Sequence, residues 1–86
     1  MSREQADRLA QLMRDQIGER APAVLNAMLL WDPSPSPGVG QLIAVWESQE
    51  AWDSYLSGTA VPRATELMRA VGAEPTLRVV PVLELA

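Results

Sequence analysis

The chain contains no cysteine, no histidine and no lysine, and each absence removes a class of function. Without cysteine there is no disulfide framework, and nothing points to an oxidising, secreted setting. Without histidine the commonest metal ligand is gone, along with the side chain that titrates nearest neutral pH, so neither a Ser-His nor a Cys-His pair can operate. All seven basic residues are arginines, scattered from Arg3 to Arg78 and outnumbered by eleven acids, which leaves a net charge of −4. No basic stripe exists to follow a phosphate backbone, so nucleic acid is not an expected partner. Long apolar runs are missing too: none approaches the roughly 18 residues that a bilayer crossing requires. The opening Ser2-Arg3-Glu4-Gln5 is too polar for a signal peptide, so the expectation is a cytoplasmic protein with no membrane partner.

What remains is one domain, residues 1–86, with a thin core, since a chain of this length buries only about 60–65% of its unfolded surface. Residues 3–19 place Ala6, Leu9, Ala10, Met13 and Ile17 three and four apart, with Leu12 widening the stripe and Arg or Asp opposite. This spacing predicts an amphipathic helix capped by Ser2 and ending near residues 18–20, where Gly18 and Pro22 interrupt it. Ala23 to Trp31 is apolar without helical gaps and bracketed by Pro22 and Pro33, so it reads as a strand. Residues 32–38, Asp-Pro-Ser-Pro-Ser-Pro-Gly, form a proline-rich loop. Gly40 to Glu47 is the second strand. Ser48 caps a helix through about Leu56, stopped by Ser57-Gly58. Pro62 opens another helix that ends at Gly72. Glu74 to Leu85 reads as the last strand, interrupted by Pro81, which requires an edge position or a bulge. The expected fold is therefore α+β, an antiparallel sheet with helices on one face, in the order α-β-β-α-α-β.

The strands imply a partner. Val24, Asn26, Met28 and Leu30 share one parity of the first strand, and Ala23, Leu25, Ala27, Leu29 and Trp31 share the other. Both faces are apolar, and the second and last strands repeat the pattern. The helices can cover only one face of so small a sheet. A second copy of the sheet is expected to cover the other, giving a homodimer packed sheet against sheet, because monomers rarely leave an apolar patch of more than a few hundred Å2 in water.

The stretch Val45-Trp46-Glu47-Ser48-Gln49-Glu50-Ala51-Trp52 runs an apolar strand into a tryptophan, a capping serine and an acidic helix start. With Tyr55-Leu56-Ser57 after it and Pro22-Ala23-Val24-Leu25 opening a strand before it, the chain resembles the dimeric α/β-barrel family, in particular the antibiotic-biosynthesis monooxygenases and their haem-degrading relatives. The likeness covers residues 3–85. It implies a ferredoxin-like domain that pairs two sheets into a dimeric barrel, and a C-terminal strand that reaches across to the partner. It also implies cofactor-independent oxidation of an electron-rich, polyketide-like phenol, in which a tryptophan and an asparagine hold substrate and reduced oxygen. The chain departs from the family pattern at its start, where no strand precedes the first helix. Either that strand is lost or the start lies upstream.

Trp46 matches the family tryptophan at the strand end, and its simpler reading is a large aromatic filling the gap between sheet and helix. Asn26 is an amide on an apolar strand; it is either a pocket donor to a carbonyl or oxyanion, or a partner to a neighbouring strand end or loop. These two are the candidate catalytic residues. Met28, Trp52, Tyr55, Met68 and Arg78 are the candidate substrate-binding residues. Trp52 and Tyr55, three apart, share one side of a helix and suit either a pocket wall or a core. Arg78 suits an acidic substrate or a rim pair with Glu84 or Glu47. Haem ligation in the relatives needs a histidine that would fall near Thr65, and no histidine is present. Glu47, Glu50 and Asp53 cluster at a helix start, where acids are stabilising without any metal. No metal and no cofactor are expected. The alternative to an enzyme is a non-catalytic dimerisation or ligand-binding module of the same fold.

Overall fold

Ser2 sets the first helix. Its Oγ accepts the N–H of Gln5 at 3.1 Å while Gln5 Oε1 accepts the N–H of Ser2 at 2.8 Å, so two otherwise unpaired donors are satisfied at once. In the computed structural model, which describes residues 1–84, α1 then runs Arg3–Asp15 and passes into a short 3-10 turn at Ile17–Glu19. The α-helix stops sooner than its apolar spacing suggests. Gly18, a poor helix former, falls where the turn tightens, and Gln16 donates its N–H back to the Leu12 carbonyl as the last α-type bond.

Two strands follow, β1 (Val24–Asp32) and β2 (Val39–Trp46), paired antiparallel across the proline-rich loop. Trp31 and Gly40 are partners, as are Leu29 and Leu42, and Ala27 and Ala44. These pairs lie on the face that α1 covers. On the opposite face sit Asn26 with Val45, Met28 with Ile43, and Leu30 with Gln41. A bulge between Val24 and Asn26 shifts the register, so that Val24 pairs with Trp46 on the helix side. This corrects the simple alternation: Val24 and Asn26 do not share a face, because the extra residue, Leu25, reverses the parity behind it. Gly38 closes the loop at φ 115°, and a Cβ there would meet Trp31 Nε1 at 2.6 Å, so only glycine fits.

The corner after β2 forms as its sequence suggests. Ser48 caps α2 (Gln49–Ser57), its Oγ accepting the Ala51 N–H at 3.0 Å, and α3 (Arg63–Ala70) begins directly after Pro62. The N–H of Ala73 reaches back to the Met68 carbonyl at 3.0 Å and Gly72 takes φ 85°, a left-handed stop for α3. Among the described residues the architecture is thus α+β: three α-helices and a two-stranded antiparallel sheet.

The expected third strand does not form. Residues 73–84 form neither helix nor strand and make no ladder among the described residues, and Leu85, the last residue of the expected strand, lies outside them. The physical reason is that a strand exists only through ladder bonds to a neighbour, and this segment makes none among the described residues. Leu77, Val79, Val80, Val82 and Leu83 are all more than half exposed. Among the described residues the buried core is correspondingly small, consisting of Ala6, Leu9 and Val71, where the capping box holds α1 against the end of α3 through a bond from Gln5 Nε2 to the Val71 carbonyl. The chain exposes 6243 Å2, whereas a folded monomer of 9.4 kDa has about 5000 Å2 by the usual scaling.

Leu9 is the only large side chain fully withdrawn from water among the described residues. Leu9→Ala is therefore expected to cost about 2–5 kcal/mol, read as a lower urea midpoint; a loss under about 1 kcal/mol would show that α1 is not the element that holds the core.

Candidate functional site

Three aromatic side chains converge at the strand-to-helix corner. Trp46 ends β2 on the helix side, and the cap at Ser48 fixes the direction of α2 so that Trp52 and Tyr55, one turn apart, come down on it. The Trp46 and Trp52 rings are 5.2 Å apart in an edge-to-face arrangement at 71°. Trp46 and Tyr55 lie 4.9 Å apart, and Trp52 and Tyr55 5.8 Å apart with their planes within 30°. Each separation falls in the range where aromatic pairs attract beyond their buried area, by about 0.5–1.5 kcal/mol per pair. All three remain half-buried, so the cluster has one side on the protein and one side open.

The polar end of the cluster is committed to structure. Tyr55 Oη accepts the backbone N–H of Arg63 at 2.8 Å, one of the donors that the start of α3 leaves without a helical partner. The Arg63 guanidinium donates to Glu19 at 2.7 Å and also to Gln16, which ties the α2–α3 junction back to the end of α1. Reading the sequence alone singled out Tyr55 but not Arg63. The available signal was that Pro62 supplies no side-chain cap, leaving the first helical N–H to find an acceptor elsewhere.

The open side faces a broad space, open to solvent, that more than half of the chain's residues border. Trp46, Trp52, Tyr55 and Met68 border it, as do Arg78 and Met28. Asn26 does not, and it is exposed on the other face of the sheet. Within one chain, then, five of the candidate residues join Trp46 around a common space, while Asn26 and Trp46 are held apart by the parity of the strands. Met28 belongs to the Asn26 face and is 40% exposed, and Val39, Ile43 and Val45 of that face border the same space. Arg78 stands on the exposed C-terminal segment, and no ion pair joins it to Glu84 or Glu47 among the described residues, so the expected rim pair is not made. Glu47, Glu50 and Asp53 do not gather: among the described residues no three acidic side chains come together as a metal site would require. No described helix is long and apolar enough to cross a membrane.

Chemically, the arrangement offers a flat, electron-rich aromatic wall and a flexible thioether, with Arg14, Arg20, Arg63 and Arg78 among the charged groups that border the same space. Such a surface suits stacking and apolar contact. Comparison with known proteins found no matching family model, no matching curated protein and no matching solved structure.

Because Tyr55 Oη holds the first N–H of α3, Tyr55→Phe is expected to destabilise the fold by about 1 kcal/mol and to speed hydrogen exchange at Arg63. Unchanged exchange at that amide would mean that α3 starts without this bond.

Proposed function

We propose that the chain is a small homodimeric protein of the ferredoxin-like, dimeric-barrel kind that binds an apolar, aromatic small molecule against Trp46, Trp52 and Tyr55. The observation that carries the reading is the aromatic trio with its one open side on a space that Met68 and Arg78 also border. Aromatic and apolar side chains beside polar ones are a usual make-up of a small-molecule site, and arginines on the same border suit an acidic or phenolate ligand.

Dimerisation is supported by the outward face of the sheet. Met28, Leu30, Val39 and Ile43 are each 39% to 47% exposed there, with nothing in the chain to cover them. The excess of exposed surface over a compact monomer, about 1200 Å2, exceeds the roughly 800 Å2 that each partner of a standard interface buries.

Oxidation of a polyketide-like phenol is the more specific form of this reading. In it, a substrate able to form a stabilised carbanion passes an electron to oxygen, and the protein supplies orientation and a dry cavity. That form calls for Asn26 beside Trp46, and a single chain holds them on opposite faces. The engagement of Tyr55 Oη with Arg63 favours the second reading, a binding or dimerisation module without chemistry of its own. Binding is common to both and is what the geometry supports best.

Titration with phenolic or quinone-like aromatics is expected to quench tryptophan fluorescence and raise Tm, with Trp46→Phe weakening binding at least about tenfold, the loss of about one stacked contact. If the ligands leave both signals unchanged and Trp46→Phe costs stability alone, the trio is packing and the pocket reading fails. For the dimer, sedimentation at micromolar concentration is expected to show two copies, and Ile43→Glu to give a monomer by placing a charge on the covered face; a wild-type monomer at that concentration contradicts the assembly.

A further inference from the structure

The turn between the two strands takes no part in the aromatic site, and its chemistry is unlike that of the rest of the chain. Asp32-Pro33-Ser34-Pro35-Ser36-Pro37-Gly38 places two serines, each directly before a proline. A proline fixes its own φ at about −65° and pushes the residue before it out of the helical region, so this segment resists helix and cannot enter a ladder regularly. Residues 34–37 accordingly bend without forming helix or strand, and Ser34 and Ser36 are both exposed. The segment is tied at its ends. Asp32 Oδ1 accepts the Ser34 N–H at 2.9 Å, and the Gly38 carbonyl accepts from the Met1 nitrogen at 2.8 Å. Neither serine hydroxyl makes a hydrogen bond among the described residues.

The other serines are committed to helices. Ser2 and Ser48 accept the N–H groups of Gln5 and Ala51 as caps, Ser57 Oγ donates to the Ser54 carbonyl, and Ser54 itself lies within α2. A hydroxyl on a helix enters an enzyme's groove only if the helix melts, whereas a surface turn outside any ladder opens locally at little cost. Thr59 and Thr76 also stand outside helix and strand, but Ala60 and Leu77 follow them. A proline after the acceptor presents a fixed ring and no N–H. An enzyme acting on Ser34 or Ser36 must therefore read that ring by shape and require no backbone donor there.

We propose that Ser34 and Ser36 are phosphoacceptors for a proline-directed protein kinase, and that Arg3 receives the phosphate. In the transfer the serine Oγ attacks the γ-phosphorus of ATP and the bond from that phosphorus to the bridging oxygen breaks. ADP leaves, and the hydroxyl proton passes to the kinase's base. Each product group carries a charge of about −2 and three strong acceptor oxygens. The cation to meet it is at the foot of the turn. Arg3 sits with its guanidinium 5.5 Å from the centre of the Trp31 ring, and a Cβ on Gly38 would meet Nε1 of that same ring at 2.6 Å. Ser36 is two residues from Gly38, so their Cα atoms lie within about 7 Å. Among the described residues the only ion pair of Arg3 is the exposed one with Asp7, at 2.9 Å. A pair of that kind is weak, and a phosphate that accepts two parallel guanidinium bonds displaces it. The pairing ties the turn to the start of α1 and adds to the Met1–Gly38 bond already there.

Incubation of the folded full chain with a proline-directed Ser/Thr kinase and Mg-ATP, followed by intact mass and site mapping, tests this. Phosphate is expected on Ser34, Ser36 or both, and on no other hydroxyl. The double variant Ser34→Ala with Ser36→Ala is expected to take up none while keeping the wild-type Tm, because neither side chain makes a bond that the substitution removes. No uptake, uptake mapped to another residue, or uptake that requires prior unfolding in urea overturns the acceptor sites. The phosphorylated chain is expected to melt about 2–5 °C higher at low ionic strength, and to lose that rise in high salt and in Arg3→Ala. An unchanged or lowered Tm, or a rise that survives Arg3→Ala, overturns the docking on Arg3.

Discussion

The unpaired edge of β2 is the constraint on which the rest of the structure turns. Two strands joined by a loop make a ladder that is marginal in water, and here that ladder is supported on one face by α1, held through the Ser2–Gln5 capping box, and at the end of β2 by α2. Everything beyond this, the aromatic corner and α3 included, is connected by a few specific bonds rather than by a packed interior. Gln5 to the Val71 carbonyl, Tyr55 to the Arg63 N–H and Arg63 to Glu19 link the ends of the helices around a core of three buried residues. A domain built this way has little stability to spare, and an added strand or a covered face contributes more to it than to a chain that is already closed.

The helices and the corner were legible because their signals are local. Ser2 with Gln5, Ser48 before an acidic turn, Pro62 at a start and Gly72 at a stop act within one turn of the backbone, and each acts in the structure as its chemistry dictates. The sheet was legible only in part. The period of two identifies β1 and β2 but cannot show where an extra residue is inserted, and the bulge at Leu25 therefore changed which residues share a face. The segment after Glu74 has the composition of a strand and none of the pairing, since pairing depends on a neighbour that composition does not encode.

The candidate site divided along the same line. Trp46, Trp52 and Tyr55 lie within ten residues of one another across a capped corner, and local geometry brings them together. Asn26 depended on long-range register, and there the bulge and the strand parity separated it from Trp46. Arg63 was invisible as part of the site because its contribution is a backbone N–H, which no side-chain pattern reveals.

Pro75 and Pro81 also limit how far strand addition can spread. A bare, uncharged edge and a valine-rich arm in one molecule are the ingredients of open-ended fibre growth, in which each chain templates the next. The two prolines cut the ladder-competent stretch to five residues, below the six or seven that stacked amyloid segments use, and they do so at both ends. Five residues are too few to propagate such a stack, so the two prolines restrain this segment from templating chain upon chain.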